Sequence, residues 1–208
     1  MTNKKSGTKT LLFSIIMSSP GPLVVGLALL SSKSSTQIAD FVRRSAELLA
    51  IIVAFVVYTI IAKNNYSETQ KNKLEKFSNL FVGFIMCLAG SIMLALAFFI
   101  NTEDKGNVIP GLAIAVLGVI ANSIFWAKYS RLSRIEGNKI LLVQSRLYRA
   151  KTLVDTSVTI ALLSVLIASQ SSISYYLDFV GSIIVAVYLI WCGIQTIYEA
   201  FKQKLYNN

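Results

Sequence analysis

Six long apolar blocks dominate the chain, and each has about the length needed to cross a lipid bilayer. They occupy residues 11–30, 38–62, 77–100, 109–126, 140–169 and 175–198 of the 208-residue sequence. A helix crosses the hydrocarbon core with roughly 20 apolar residues, and within lipid the backbone must satisfy its own hydrogen bonds. The blocks therefore predict an all-α, polytopic membrane protein built as a bundle of six transmembrane helices.

The composition argues against an ordinary soluble domain. Hydrophobic residues make up 54% of the chain and charged residues only 14%, whereas soluble domains carry roughly 25% charged residues. The net charge of +10 would suggest nucleic acid in a soluble protein. Here the basic residues lie mainly between the apolar blocks, so we expect the lipid bilayer as a partner and no nucleic acid.

The positions of Lys and Arg predict the orientation of the bundle. They concentrate before the first block, after the second, after the fourth and after the sixth, while each remaining link holds at most one. Because positive residues stay on the cytoplasmic side, both ends of the chain are predicted there. We expect cytoplasmic tails at 1–10 and 201–208, a transmembrane domain over 11–200 and no soluble C-terminal domain. The predicted location is a prokaryotic plasma membrane, which the chain crosses several times.

Small residues and prolines mark predicted features of single helices. In the first block, Pro20-Gly21-Pro22 predicts either a kink or a broken helix, and we favour the kink. Small residues let helices approach closely in lipid, so we expect helix contacts at glycines in the third and sixth blocks, and interhelical hydrogen bonds from two polar residues in the fourth. These glycines are Gly83, Gly90, Gly181 and Gly193, and the polar residues are Asn122 and Ser123.

Charged residues in the second and fifth blocks are predicted to lie at membrane depth. The second block carries four of them at spacing i, i+3, i+4 and i+7, which places them on one helical stripe: Asp40, Arg43, Arg44 and Glu47. Asp40 is predicted to pair with Arg44 and Arg43 with Glu47, because the members of each pair are four residues apart. In the fifth block Lys151 and Asp155 are four residues apart, and Gln144 and Tyr148 extend that stripe. Ionisable groups at this depth usually face a cavity or a charged partner. The two stripes either face each other and line a polar ion site, or neutralise one another and hold two helices together.

Several segments resemble the transmembrane domain of the cation diffusion facilitator family. The second block reads Asp40-Phe-Val-Arg43-Arg-Ser-Ala-Glu47, with the spacing of the family's Asp-x-x-His-x-x-x-Asp motif. The fifth reads Lys151-Thr-Leu-Val-Asp155, where the family has His-x-x-x-Asp, and Arg146 precedes it as in the family. The resemblance implies six helices, cytoplasmic termini, a dimer, and export of zinc or related divalent metals in exchange for protons.

The chain departs from the family at two of the four positions that bind metal. Arg43 and Lys151 stand there, and an arginine or a protonated lysine has no lone pair to offer a metal. Glu47 and Asp155 remain as candidate metal ligands. Because zinc prefers nitrogen and sulfur, the family's usual zinc site is not intact. One hypothesis is that Arg43 and Lys151 occupy the space of the metal as an ion-pair cluster. Another is that Lys151 cycles a proton while the carboxylates handle a cation.

These features predict a cation-efflux-type membrane transporter, resembling divalent metal/proton antiporters, with an altered intramembrane site. The first alternative is a non-transporting member that acts as a partner or regulatory subunit. A membrane enzyme is the second, but the sequence offers no nucleophile–base pair, no His or Cys cluster and no phosphate-binding glycine loop, so we predict no enzyme. We expect no cofactor, transported Zn²⁺ or another divalent cation together with protons, and a homodimer or a heterodimer with a related transporter.

Overall fold

The computed structural model describes residues 2–31, 35–63, 66–99, 109–167 and 172–202. These ranges contain no strand and form seven α-helices: α1 (Thr2–Ser18), α2 (Pro20–Ser31), α3 (Ser35–Lys63), α4 (Glu68–Phe99), α5 (Ile109–Glu136), α6 (Lys139–Ile167) and α7 (Ser172–Lys202). Since α1 and α2 together contain the first apolar block, the helices correspond to the six that the sequence predicts. The predicted all-helical membrane bundle is confirmed.

Four of the described helices are long and apolar enough to cross a membrane. They are α3, α4, α5 and α7, over Phe41–Lys63, Glu68–Phe98, Leu112–Glu136 and Phe179–Lys202. The more polar α6 has 29 residues, and at 1.5 Å per residue it is about 43 Å long, which exceeds a hydrocarbon core of about 30 Å. The chain is therefore a multi-pass integral membrane protein.

The helices extend beyond the apolar blocks from which they were predicted. α4 begins at Glu68 although its block starts at residue 77, and α5 continues to Glu136 although its block ends at residue 126. Lys, Arg, Glu and Gln are good helix formers, so a helix continues through the charged links beside the membrane. An apolar block therefore indicates which part of a helix lies within the hydrocarbon core, but not where the helix begins or ends.

The first predicted helix is interrupted at a single residue. The backbone N–H of Ser19 still donates to the carbonyl of Ile15 at 2.9 Å, as in a continuous helix. Pro20 and Pro22 have no N–H to continue this pattern, and α2 begins at Pro20. Beside the interruption, a Cβ atom on Gly21 would lie 3.5 Å from Nη1 of Arg44. Of the two predicted forms, this short interruption corresponds to the kink.

Glycines allow α4 and α7 to approach each other closely. A Cβ atom added to Gly193 would lie 2.7 Å from the carbonyl oxygen of Gly83, and one added to Gly90 would lie 2.8 Å from that of Ala186. Backbone oxygens cannot rotate away as side chains do. The predicted role of these three glycines as helix contacts is confirmed, in the manner of small-residue interfaces in lipid.

Gly193→Ala is expected to lower the free energy of unfolding by about 1–3 kcal/mol, because the methyl group forces α4 and α7 apart. Thermal or urea unfolding in detergent micelles measures the change. Ala95→Val adds volume to an exposed position of α4 and is the control. Equal stability of the wild type and Gly193→Ala would show that the two helices separate without cost.

A two-residue turn joins α5 to α6. Gly137 adopts a φ of +60° directly after α5, a conformation that glycine reaches without strain at a helix end. The side-chain oxygen of Asn138 accepts hydrogen bonds from the N–H groups of Ile140 and Leu141, at 2.9 and 3.2 Å, and so caps the first turn of α6. The turn brings α5 and α6 together as antiparallel neighbours along their length.

Candidate functional site

A buried ion pair lies on the inward face of α3. Nη1 of Arg43 donates to Oε1 of Glu47 at 3.0 Å, one helical turn further along the same helix. Only 5% of the Glu47 side chain and 11% of the Arg43 side chain are exposed. The spacing of four residues places the two groups on one face of the helix, as the sequence predicts.

Lys151 reaches the same carboxylate from α6. Its Nζ atom lies 3.5 Å from Oε2 of Glu47, with 13% of the lysine side chain exposed. The ammonium also lies over the ring of Tyr148, 5.1 Å from the centroid, where the negative face of the ring attracts it. Each carboxylate oxygen of Glu47 therefore faces one cation, and the charged stripes of α3 and α6 meet at this residue.

Asp155, one turn beyond Lys151 on α6, is held by α5. Nδ2 of Asn122 donates to Oδ2 of Asp155 at 2.6 Å. A Cβ atom on Gly118 would lie 2.5 Å from that same oxygen, so the absence of a side chain there makes room for the carboxylate. The sequence predicts an interhelical hydrogen bond from Asn122, but not that its partner is a residue of the charged stripe.

Gly118→Ala is expected to lower the free energy of unfolding by about 1–3 kcal/mol, because the added methyl group pushes the Asp155 carboxylate away from Asn122. The methyl carbon and Oδ2 of Asp155 cannot both keep their positions at 2.5 Å. Thermal unfolding in detergent micelles measures the change. Ala113→Val, at an exposed position of α5, is the control, and equal stability of the wild type and Gly118→Ala would show that the carboxylate moves without cost.

An aromatic layer lies between the ion pairs and the α5–α6 turn. The ring of Tyr148 is 5.1 Å from that of Phe125 and 5.3 Å from that of Tyr129. α1 covers this layer through two hydrogen bonds between hydroxyl groups: Ser14 with Tyr129 at 2.6 Å, and Ser18 with Tyr148 at 3.1 Å. This buried layer separates the ion pairs of Glu47 from the α5–α6 turn.

The remaining residues of the predicted stripes have different surroundings. Asp40 belongs to α3, but its side chain lies outside the described residues, and so does its predicted pairing with Arg44. Arg44 contributes to the electrostatic environment of Asp155, together with Lys151 and Glu47. The amide of Gln144 is fully buried, and neither of its polar atoms has a hydrogen-bond partner among the described residues.

Arg43, Glu47, Lys151 and Asp155 form a charged cluster whose formal charges sum to zero. Arg44 adds a positive charge in the surroundings of Asp155. The described part of the chain holds no group of three or more His, Cys, Asp or Glu side chains that could bind a metal ion. A cation that enters this region therefore meets the Glu47 carboxylate, which Arg43 and Lys151 already contact.

The sequence analysis did not predict that α5 contacts the charged residues of α6, although the sequence carries a signal for this contact. Gly118, Asn122, Phe125 and Tyr129 follow the spacing i, i+4, i+7 and i+11, which places them on one face of a helix. Tyr148, Lys151 and Asp155 have a similar spacing on α6. When α5 and α6 pack antiparallel with these two faces in contact, residues at similar distances from the connecting turn lie opposite each other. Asn122 and Asp155 are at similar distances from the turn, so this packing predicts their contact.

Lipid-spanning helices that bury acidic and basic side chains against each other are typical of membrane proteins that move ions. The fold and the charged cluster thus define a polytopic membrane protein with an ionic site between its helices. The chain belongs to the cation efflux family, since residues 11–203 match the family model described as the cation efflux transmembrane domain. No curated protein matches the chain. Members of the family are generally transporters and not enzymes, and membership makes this chain a cation-efflux-type transporter of the bilayer.

Proposed function

We propose that the protein exchanges a cation for protons at an altered site, where the cation competes with the Lys151 ammonium for Glu47. The observation that carries this proposal is the 3.5 Å contact between Nζ of Lys151 and Oε2 of Glu47. It joins α3 to α6, whereas the contact of Arg43 with Glu47 lies within one helix. A cation that binds between the two helices must take the place of Lys151.

Each residue near the site has a role in this exchange. Arg43 holds one oxygen of Glu47 and so orients the other toward α6. Asp155 supplies the second carboxylate, which Asn122 positions. When Lys151 releases its proton on the side from which the cation enters, its neutral amine no longer holds Glu47 and one carboxylate oxygen is open to the cation. After the cation has left on the other side, Lys151 takes up a proton there and the ammonium returns to Glu47. Because the cation and the ammonium cannot occupy Glu47 at once, movement of the cation is coupled to movement of the proton.

The ligands indicate which cations fit best. Glu47 and Asp155 offer only oxygen atoms, which suit hard cations such as Mn²⁺ better than Zn²⁺. Zn²⁺ binds preferentially to nitrogen and sulfur, and the chain has no histidine. We therefore expect manganese to be carried in preference to zinc. We also propose that the protein works as a homodimer, or as a heterodimer with a related transporter, in a prokaryotic plasma membrane.

Purified protein in proteoliposomes tests the function. Fluxes of manganese, iron(II) and zinc are measured against an imposed proton gradient. Asp155→Ala should abolish the flux because it removes the second carboxylate. Leu153→Ala, an exposed position of the same helix, should transport like the wild type. Absence of flux for every metal in a folded wild-type protein would overturn transport by the chain alone.

The second candidate function is that of a partner or regulatory subunit that does not itself transport. The two basic side chains that already contact Glu47 favour it, because Arg43 keeps its proton in a protein and cannot act as a ligand. Co-expression with a transporting member of the family separates the two functions. A partner subunit changes the partner's flux while showing none in isolation, and Asp155→Ala leaves that effect intact.

A further inference from the structure

A groove on the outer face of α5 carries two arginines beside a tryptophan. It has a volume of about 540 Å³ and is lined by Trp126, Ala127, Ser130, Arg131, Arg134 and Ile135. These residues repeat at intervals of four along one face of the helix, and most of their side chains are exposed. From this groove we infer that the protein holds the phosphate headgroup of an anionic phospholipid between Arg131 and Arg134.

Several basic side chains of the described residues already contact a carboxylate or an aromatic ring, whereas Arg131 and Arg134 do not. Arg146 makes two contacts with Glu199, at 2.8 and 3.0 Å, and Lys71 contacts Glu68 at 2.8 Å. Lys76 and Arg149 lie over aromatic rings. Within the described part of the chain, Arg131 and Arg134 pair with no carboxylate. Their guanidinium groups are thus available to a phosphate, which arginine binds through parallel hydrogen bonds.

The surface above the groove fits the acyl chains of the same lipid. Leu117, Ile120 and Ile124 lie on the adjoining face of α5, and each is more than half exposed. Toward the end of the helix this apolar face gives way to Trp126 and the two arginines. A tryptophan at such a boundary is typical of the membrane–water interface. An apolar stripe that ends in a basic groove matches a phospholipid and not a soluble phosphate.

A second copy of the chain would match the groove poorly. An interface through this face needs an acidic group to meet the two arginines. Near the predicted cytoplasmic ends of the described helices, Glu68 pairs with Lys71, Glu199 pairs with Arg146, and Glu136 accepts a hydrogen bond from Tyr58. Glu75 is partly buried, and Lys139 and Lys71 lie in its electrostatic surroundings. Anionic lipids are concentrated in the cytoplasmic leaflet, where basic pockets bind their headgroups. Charge complementarity therefore favours the lipid.

Quenching of Trp126 by brominated lipids tests the inference. The chain has two tryptophans, and the exposed Trp191 is replaced by phenylalanine so that Trp126 alone reports. Phosphatidylglycerol and phosphatidylcholine with brominated acyl chains are compared in mixed micelles. We expect binding of phosphatidylglycerol to be favoured on the order of tenfold. Arg131→Gln with Arg134→Gln should bring the two lipids to within about twofold. Lys63→Gln with Lys73→Gln removes two exposed charges elsewhere and should keep the preference.

Three results would overturn the inference. Equal quenching of the wild type by the two lipids would show that the groove does not select charge. Loss of the preference on addition of inorganic phosphate would assign the arginines to a soluble anion. Absence of quenching by either lipid would mean that protein, such as a second copy of the chain, covers Trp126. Circular dichroism of each variant confirms that a lost preference does not arise from unfolding.

Discussion

Glu47→Ala is expected to lower the free energy of unfolding by about 3–5 kcal/mol, the cost of breaking a buried ion pair by removing one partner. The Glu47 carboxylate is shared by Arg43 at 3.0 Å and Lys151 at 3.5 Å. Its removal takes a negative partner from two basic side chains within lipid-spanning helices, where water cannot replace it fully. Unfolding in detergent micelles, followed by circular dichroism, measures the change.

A double-mutant cycle assigns the loss to the contact between α3 and α6. Glu47→Ala combined with Lys151→Met removes a negative and a positive charge together, so it should cost less than the sum of the two single substitutions. Leu49→Ala, at a half-exposed position of α3, controls for the loss of side-chain volume. If the costs add to within about 0.5 kcal/mol, Glu47 and Lys151 are not coupled.

Lys151→Met is expected to raise the apparent affinity for the transported cation on the order of tenfold, which corresponds to about 1.4 kcal/mol. Methionine keeps much of the lysine volume but has no charge, so the cation no longer competes for Oε2 of Glu47. The same variant should lose the dependence of flux on the proton gradient, because nothing at Glu47 then carries the exchanged proton. Flux into proteoliposomes at several cation concentrations and two internal pH values measures both effects.

Lys202→Met is the matched control for this second experiment. Lys202 is exposed in the last turn of α7, so its replacement removes one charge without altering the cluster. A Lys151→Met protein that keeps its proton dependence would place the coupling at another group. A folded Lys151→Met protein that transports no cation would show that the lysine is required for transport and does not compete with the cation.

The fold was predictable because the properties that determine it lie along the chain. Apolar blocks of bilayer length predict spanning helices without knowledge of any contact. The orientation that the basic links indicate stays a prediction. The ends of the helices were not predictable from the same pattern. α4 and α5 continue into charged links, because helix propensity depends on side-chain type and not on membrane depth.

The contacts of the cluster were predictable only where they follow one helix. The pairing of Arg43 with Glu47 follows from their spacing of four residues. The contacts of Lys151 with Glu47 and of Asn122 with Asp155 depend on which helices are neighbours. The sequence therefore left two roles open for the stripes, and it did not assign Lys151 a partner on another helix. In the structure the ion-pair partner of Lys151 is Glu47, across the helix interface.

The two-residue turn after α5 has a mechanical consequence. It joins α5 to α6 at one end, and the hydrogen bond of Asn122 to Asp155 joins them again near mid-length. α3 contacts this hairpin through Glu47 with Lys151, and through Tyr58 with Glu136 beside the turn. If α3 moves away from α6 about the contact beside the turn, Glu47 separates from Lys151. Glu47 then keeps Arg43 of its own helix, and Asp155 keeps Asn122 of α5. In such a motion the Glu47–Lys151 ion pair is the contact that breaks and forms again. The Tyr58–Glu136 hydrogen bond stays in place as the hinge.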